Sequence, residues 1–473
     1  MLINDEQKIL RNIQEQNSWW VNNSINKDLV PSFKRNEYPR IKNIFFNEIR
    51  RFPVLSGPRR VGKSTIMFQL IDELLEKRKV NPLRILFYTL DDFSNDETSI
   101  KEVIRIYKKY VYSGDDFYLF IDEAQKDKSW KACLKTLFDL NKQVRAMISG
   151  SSSIEIESSN DESGSGRFIT IKVPTLSFYE FCKLNKREIE LPDVDVFKMH
   201  TLSFLEQNII YVKIASLYDE FIRYLKLGGF PEYSRSKEYN YVSRLIRDQV
   251  VTKSIRIDIP KTCQIRDVDT LSNLYSYFCY HSSDLVNVDT ISTNLGIDRA
   301  TCNQYILALE KANLIYISEQ LNLNGKKALK PRKKIYVSDY GIRCAVTRIN
   351  DIETDDIELG HAIETVALKH TKDYFSSLDN ELYNVGFSKM KGDKEIDIVI
   401  QEQGNNIQYV EAKYRKTPHI KDSDGIVVYG LEGVPGYVIS KNTDDFGLSN
   451  REKTEVYRMP AIAYFYLLGK KKQ

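Results

Sequence analysis

The chain has 473 residues, 42% hydrophobic and 28% charged, with a net charge of +4 at neutral pH. That is enough apolar material for about three or four cores, it includes no run of eighteen apolar residues that could span a membrane, and the charge is too small to mark partners by itself. Six widely scattered cysteines with no C-x-x-C pair give neither a disulfide frame nor a zinc site and fit reduced thiols in a cytoplasm. The opening Met1-Leu2-Ile3-Asn4-Asp5-Glu6 has no basic or apolar leader region, so no export signal is expected.

Residues 1 to 45 read as a polar helical lead-in, with Gln7 to Gln16 helical and a Trp19-Trp20 pair expected to pack on a neighbouring domain. Next, Pro53-Val54-Leu55-Ser56 reads as a strand that runs into Gly57-Pro58-Arg59-Arg60-Val61-Gly62-Lys63-Ser64, with Thr65 behind it. This is G-x-x-x-x-G-K-[ST], the phosphate-binding loop. Gly57 and Gly62 let the backbone wrap so that successive N–H groups face the phosphates of ATP. Lys63 adds a mobile positive charge, and Ser64 offers a hydroxyl to Mg²⁺. Ile66, Met67, Leu70, Ile71 and Leu74 follow at helical spacing, which completes a strand–loop–helix frame.

From 50 to 173 strands and helices alternate, the pattern of a parallel α/β sheet. Further strands are expected at 84–90, 117–121, 144–148 and 168–173. The third ends in Asp122-Glu123, at the strand end where ligands bind in open α/β sheets. Asp122 would hold Mg²⁺, and Glu123 would orient and deprotonate the attacking water. Ser149 or Ser151, at the tip of the fourth strand, stands where a γ-phosphate sensor is expected. Residues 154–166 read as a mobile Gly/Ser-rich loop. Arg167 beyond it reads as an arginine finger or an in-cis sensor, with a plain surface arginine as the alternative.

Residues 175–260 turn helical, broken at Gly228-Gly229-Phe230-Pro231-Glu232, and read as a helical lid. Residues 266–340 carry helices at 271–280, 289–295 and from Asp298 onward, then strands at 314–317 and 334–337. That is the order of a winged helix-turn-helix. The last of the helices presents Arg299, Asn303 and Gln304, side chains able to read base edges. From 286 to 340 there are eight Lys/Arg against five Asp/Glu, six of the basic residues lying between 326 and 334. Lys326, Lys327 and Lys330 therefore put positive charge on the wing, suited to DNA phosphates. A winged helix used only for protein packing is the alternative.

The last segment holds a second constellation. Glu364 lies on a helix, and Lys394 to Ile400 and Gln408 to Tyr414 read as two strands of a hairpin. Side chains two apart on a strand share a face, so Glu395 and Asp397 point together, as do Glu411 and Lys413, and a hairpin would bring Asp397 beside Glu411. The two carboxylates, with Glu364 nearby, suit Mg²⁺. Lys413 would position a water for attack on a phosphodiester.

Taken in order, Gly57 to Thr65, Ile121-Asp122-Glu123, Ser149-Gly150-Ser151-Ser152, Gly166-Arg167, Pro174 to Phe178, Gly228 to Pro231, Lys334-Ile335-Tyr336 with Asp339 and Gly341, Glu364, Asp397 and Glu411-x-Lys413 resemble a prokaryotic AAA+-type ATPase family. Its members join a P-loop domain to a winged helix and a C-terminal PD-(D/E)XK, restriction-endonuclease-like domain. The resemblance implies a five-stranded ATPase core and a Pro231 near the adenine, as in related signal-transduction ATPases. It also implies that the basic residues before Ile335 are partly a family habit. Ile396 stands where the nuclease motif is named for a proline. The expected α/β organisation is an N-terminal helical extension (1–45), ATPase core (46–175), helical lid (176–260), winged helix (261–341) and nuclease-like domain (342–473). The expected activity is an ATP-hydrolysing, DNA-binding protein with a Mg²⁺-dependent nuclease domain, serving DNA processing, mobile-element biology or defence, with self-association left open. The runner-up is a non-cleaving ATP switch whose nuclease fold only grips nucleic acid.

Overall fold

A computed structural model describes residues 3–91, 98–150, 166–263, 265–323, 331–349, 352–353, 355–378, 382–390, 394–403, 405–414, 420–450 and 454–470. The chain divides into two compact units: Met1–Pro174 with Lys261–Gln264, and Thr175–Pro260 with Ile265–Lys472. No helix among the described residues is long and apolar enough to cross a membrane.

In the first unit, helix α1 (Ile3–Gln16) precedes β1 (Phe52–Ser56), α2 (Lys63–Asp72), β2 (Ile85–Thr89), β3 (Tyr118–Asp122), α3 (Trp130–Leu140), β4 (Arg145–Gly150) and β5 (Phe168–Lys172). The five strands form one sheet in the order β2-β3-β4-β1-β5, parallel at every pairing. Both faces are apolar, as buried parallel strands require. Phe52, Val54, Leu86, Tyr88, Leu119 and Ile121 pack into one core. Leu55, Ile85, Phe87 and Phe120 pack into the other, with Ile66, Met67 and Leu70 of α2.

The outer edge of β2 would leave its backbone groups unpaired. Side chains of the N-terminal segment close it. Trp19 and Trp20 both donate their indole N–H to the Ile85 carbonyl, at 3.1 and 2.8 Å. Asn17 brackets Phe87, donating to its carbonyl at 2.8 Å and accepting from its N–H at 2.7 Å. Gln16 accepts from the Thr89 N–H at 2.8 Å. The lead-in thus completes the sheet edge without being a strand.

The second unit opens with helices Phe178–Leu184, Phe204–Ala215 and Tyr218–Leu227. The first two begin with reciprocal capping boxes, Ser177 with Glu180 and Ser203 with Glu206. After a helical stretch from Tyr239 to Cys263 come α4 (Val268–Tyr280), α5 (Val288–Leu295) and α6 (Arg299–Lys311), then an antiparallel pair, β6 (Ile315–Glu319) and β7 (Lys333–Val337). After them come α7 (Asp356–Leu378), β8 (Tyr383–Lys389), β9 (Glu395–Glu402), β10 (Asn405–Lys413), β11 (Gly436–Ser440), β12 (Gly447–Asn450), β13 (Glu455–Pro460) and α8 (Ala461–Gly469). These strands make a mixed six-stranded sheet in the order β12-β13-β11-β10-β9-β8. The expected hairpin is its β9–β10 pair, with Val410 opposite Ile398. Helix α8 is buried on every side, as its uniformly apolar sequence demands.

The segments expected as lid, winged helix and nuclease-like domain fall within this second unit, apart from Lys261–Gln264. Specific backbone contacts explain why. His370 of α7 accepts from the Phe178 N–H at 3.0 Å, and Asp339 accepts from the Gly229 N–H at 2.9 Å. Leu321, just past β6, donates its N–H to the Phe387 carbonyl of β8 at 2.7 Å. The β6–β7 hairpin is therefore fastened to the large sheet rather than standing free as a wing.

Candidate functional sites: a phosphate loop and a carboxylate cluster

The loop between β1 and α2 has the backbone its sequence requires. A Cβ on Gly57 would come within 2.1 Å of the Val173 carbonyl oxygen, and Gly62 sits at φ +95°, a conformation that favours glycine. From Gly62, α2 begins, so its unpaired N–H groups and positive dipole end face the loop. Lys63 curls over the loop and donates to the carbonyls of Gly57 and Pro58 at 2.9 and 2.8 Å. A residue that motif reading passed over holds the loop from behind. The buried Arg35 guanidinium donates to the Val61 carbonyl at 2.6 Å and to the Pro174 carbonyl at 2.8 Å.

At the ends of β3 and β4, Asp122 accepts from the Ser64 hydroxyl at 2.6 Å and from the Ser149 hydroxyl through its other oxygen. Two hydroxyls and a carboxylate on one spot form an all-oxygen donor set, the kind Mg²⁺ takes. Glu123 adopts left-handed backbone angles, φ 55° and ψ 41°, a strained choice for a non-glycine residue. Its carboxylate accepts from the Gln125 amide at 2.5 Å. Burial pushes its pKa up, Lys63 pulls the other way, and the neighbouring Asp122 adds to the rise. A carboxyl poised above its usual range is suited to taking a proton.

The second site lies where α7, β7 and β9 meet. Glu364, Glu395 and Asp397 offer oxygens that all lie within 4.8 Å of one another. Asp397 also accepts from the Ala412 N–H of β10 at 2.8 Å. Burial raises the Asp397 pKa well above its usual value, Glu364 adds to the rise and Lys334 opposes it. Glu411 stands outside this trio. It pairs with Lys413 at 3.4 Å, while Lys413 also forms an ion pair with Asp424. Glu411 too is raised, first by burial.

Two members of this site were not anticipated. Glu395, two residues before Asp397, joins the trio in place of Glu411. Lys334 of β7, 5% exposed, sends its ammonium among the three carboxylates, 3.1 Å from Glu364 and in ion-pair contact with Glu395. Burial works against its charge, but Glu364, Asp397 and Glu395 outweigh it and raise the lysine pKa above its usual value. Tyr336, on the same strand face, donates to Glu364 at 2.8 Å.

Comparison with known proteins bears on the first site. Residues 49–182 match the model of the AAA domain, while residues 218–353 and 359–462 each match a domain of unknown function, DUF8612 and DUF4143. Residues 49–182 are an AAA-type ATPase domain. An uncharacterized protein of Haemophilus influenzae is 25% identical over 401 residues, covering 81% of this chain and 88% of its own. Uncharacterized protein MJ1637 of Methanocaldococcus jannaschii is 21% identical over 411 residues, covering 83% and 84%. Among solved structures, the Aeropyrum pernix ORC1 protein in complex with DNA aligns with TM-score 0.31 at 10% identity, over 70% of this chain and 96% of its own. The Aeropyrum pernix ORC2 protein aligns with TM-score 0.35 at 10% identity, over 68% and 96%. At such scores nothing about this chain follows from the likeness.

Arg167 precedes β5 and lies at the amino end of the sheet, where Phe168 pairs with Phe52. The phosphate loop follows the opposite end of β1, about 16 Å of strand away. Arg167 instead forms a two-pronged ion pair with Asp139 of α3, at 2.8 and 3.2 Å. The expectation of an in-cis sensor is corrected accordingly. Ser151, Lys326, Lys327 and Lys330 lie outside the described residues. Pro231 belongs to the second unit, where its carbonyl accepts from the Ser234 hydroxyl at 3.0 Å. Arg299, Asn303 and Gln304 are all exposed on α6, but Arg299 is paired with Asp289 of α5 at 2.9 Å. Asn303 turns its amide back to the Arg299 carbonyl at 2.9 Å.

Proposed function

We propose that the protein couples ATP hydrolysis in the AAA domain to action on DNA by the second unit, whose carboxylate cluster belongs to a metal-dependent nuclease fold. The observation that carries the ATPase half is the convergence of Ser64, Asp122, Ser149 and Glu123 beside the phosphate loop. Loop N–H groups and Lys63 would cradle the phosphates, Ser64 and Asp122 would hold Mg²⁺, and Glu123 would take the proton of the attacking water. The nuclease half is supported by Glu364, Glu395 and Asp397 clustered at the sheet, with Glu411 and Lys413 on the neighbouring strand. Glu364, Glu395 and Asp397 would hold the ion. Lys413 would orient a water next to the scissile phosphate, and Asp424 would keep its charge in place. Bound there, Mg²⁺ would supply positive charge against the phosphodiester oxygens. The three-helix and hairpin segment would present Arg299, Asn303 and Gln304 to the duplex as a winged helix.

One observation favours the runner-up, an ATP switch that grips nucleic acid without cutting. Lys334 already pairs with two of the three clustered carboxylates.

The deciding experiment incubates the purified full chain with single- and double-stranded DNA, Mg²⁺ or Mn²⁺, and with or without ATP. Lys63→Ala should lower ATP turnover by about 100-fold or more and spare metal-dependent cutting. Asp397→Ala and Lys413→Ala should do the reverse. No cleavage by the unmodified chain under any of these conditions would leave the non-cleaving switch.

A further inference from the structure

Three carboxylates whose oxygens gather within 4.8 Å of one another, on elements that bury most of their surface, repel one another unless a cation sits among them. The chain supplies its own. Lys334 reaches in from β7, a strand of the hairpin that precedes the acidic elements, and pairs with Glu364 and Glu395. Asp397 is the third charge acting on it. One ammonium against three carboxylates leaves the cluster acidic, so it keeps an attraction for a stronger cation. A divalent ion binds oxygens at about 2.0–2.6 Å, whereas an ammonium stands nearly 3 Å off. Both cannot occupy the centre of one small triangle, because their own repulsion adds to the crowding.

We propose that this cluster is a single cation seat shared in alternation by the Lys334 ammonium and a divalent metal ion. Lys334 is the competitor that a metal must displace. The lysine stem is long and unbranched, so it can withdraw without moving β7. In its seated position the ammonium also lies 5.5 Å from the centre of the Phe387 ring, a cation–π contact that a metal must outweigh as well. Tyr336, which donates to Glu364, holds that carboxylate whichever cation is present. The inference rests on the nuclease reading only for the expectation that a divalent ion is the rival. The three carboxylates and the lysine stand together whatever the activity.

The test uses Mn²⁺ with the nucleotide-free full chain. Isothermal titration calorimetry should show Lys334→Met binding Mn²⁺ at least about 10-fold tighter than the unmodified chain, about 1.4 kcal/mol. The added heat should vanish in the double variant that also carries Asp397→Asn. ATP turnover serves as the folding check. A second readout covers the case in which Lys334→Met does not fold. In the unmodified chain, amine acetylation read by mass spectrometry should find Lys334 protected without metal and labelled once Mn²⁺ saturates. Equal or weaker Mn²⁺ binding by folded Lys334→Met overturns the proposal, as does Lys334 labelling that ignores saturating Mn²⁺. Cleavage assays on the same proteins keep the two readings apart. Displacement of Lys334 without any cutting sinks the nuclease reading and leaves the exchange intact. Cutting with an indifferent Lys334 sinks the exchange alone.

Discussion

Arg35 sits behind the phosphate loop with its two terminal nitrogens on two carbonyls, of Val61 and Pro174. A planar fork can do this and a point charge cannot. Replacing it by alanine would leave both buried carbonyls short of a donor, at a cost of about 1–3 kcal/mol. Arg35→Ala should therefore lower the melting temperature and raise KM for ATP more than it lowers kcat. Arg35→Lys should recover little of either. Steady-state ATPase kinetics beside thermal unfolding check this, and an unchanged KM would remove Arg35 from the loop's support. The phosphate loop and Asp122-Glu123 are legible in the sequence because their chemistry lies in contiguous residues with one dominant use. Arg35 is not, since its partners are 26 and 139 positions away. Lys334 is hidden for the same reason. Within a run of basic residues it reads as a phosphate contact, and only the fold reveals that it points at carboxylates. Glu395 shared a face with Asp397 in the sequence pattern, but the pattern could not rank it above Glu411.

At the scale of elements, the edge of β2 is closed by side chains. Asn17 makes the two hydrogen bonds to Phe87 that a paired strand would make. Asn17→Ala should cost about 1–3 kcal/mol by leaving the Phe87 groups unmatched. It should also speed hydrogen exchange at the Phe87 amide relative to the rest of the sheet. Uniform exchange across β2 and β3 would show that the edge draws its protection elsewhere. The strands of the AAA domain are legible because buried parallel strands read as short apolar runs. The Trp19-Trp20 pair reads as packing material, yet its hydrogen bonds to Ile85 carry no sequence signal. The β6–β7 hairpin shows the limit from the other side. Its order and alternation mark a hairpin, but nothing local says that the residues just past β6 bond to β8.

Over the whole molecule, the second unit is rich in buried phenols. Burial pushes Tyr409 and Tyr457 up to about 12, and Tyr275, Tyr316 and Tyr336 well above the usual value. A phenol whose folded pKa exceeds its unfolded value of about 10 stabilises the fold fully below that pH. The stabilisation is lost as pH rises through the folded value. Thermal unfolding followed by near-ultraviolet circular dichroism should therefore hold steady from neutrality to about pH 10 and fall steeply above it. Tyr457→Phe should make the fall shallower. A midpoint independent of alkaline pH would contradict the burial of these rings. That residues 265–472 pack with 175–260 as one unit could not be read from composition. The bonds that join them, such as His370 to Phe178, link residues far apart in the chain.

The closure of the β2 edge also has an order in time. A ribosome releases residues 16–20 well before Ile85 to Thr89, so the groups that cap the strand are already outside the exit tunnel when it emerges. With domains generally folding as units, amino-terminal first, during synthesis, a nascent β2 meets its own cover before it can meet another chain. A protein shortened by its first twenty residues would expose that strand from the moment of translation, and aggregation during expression is the outcome to look for.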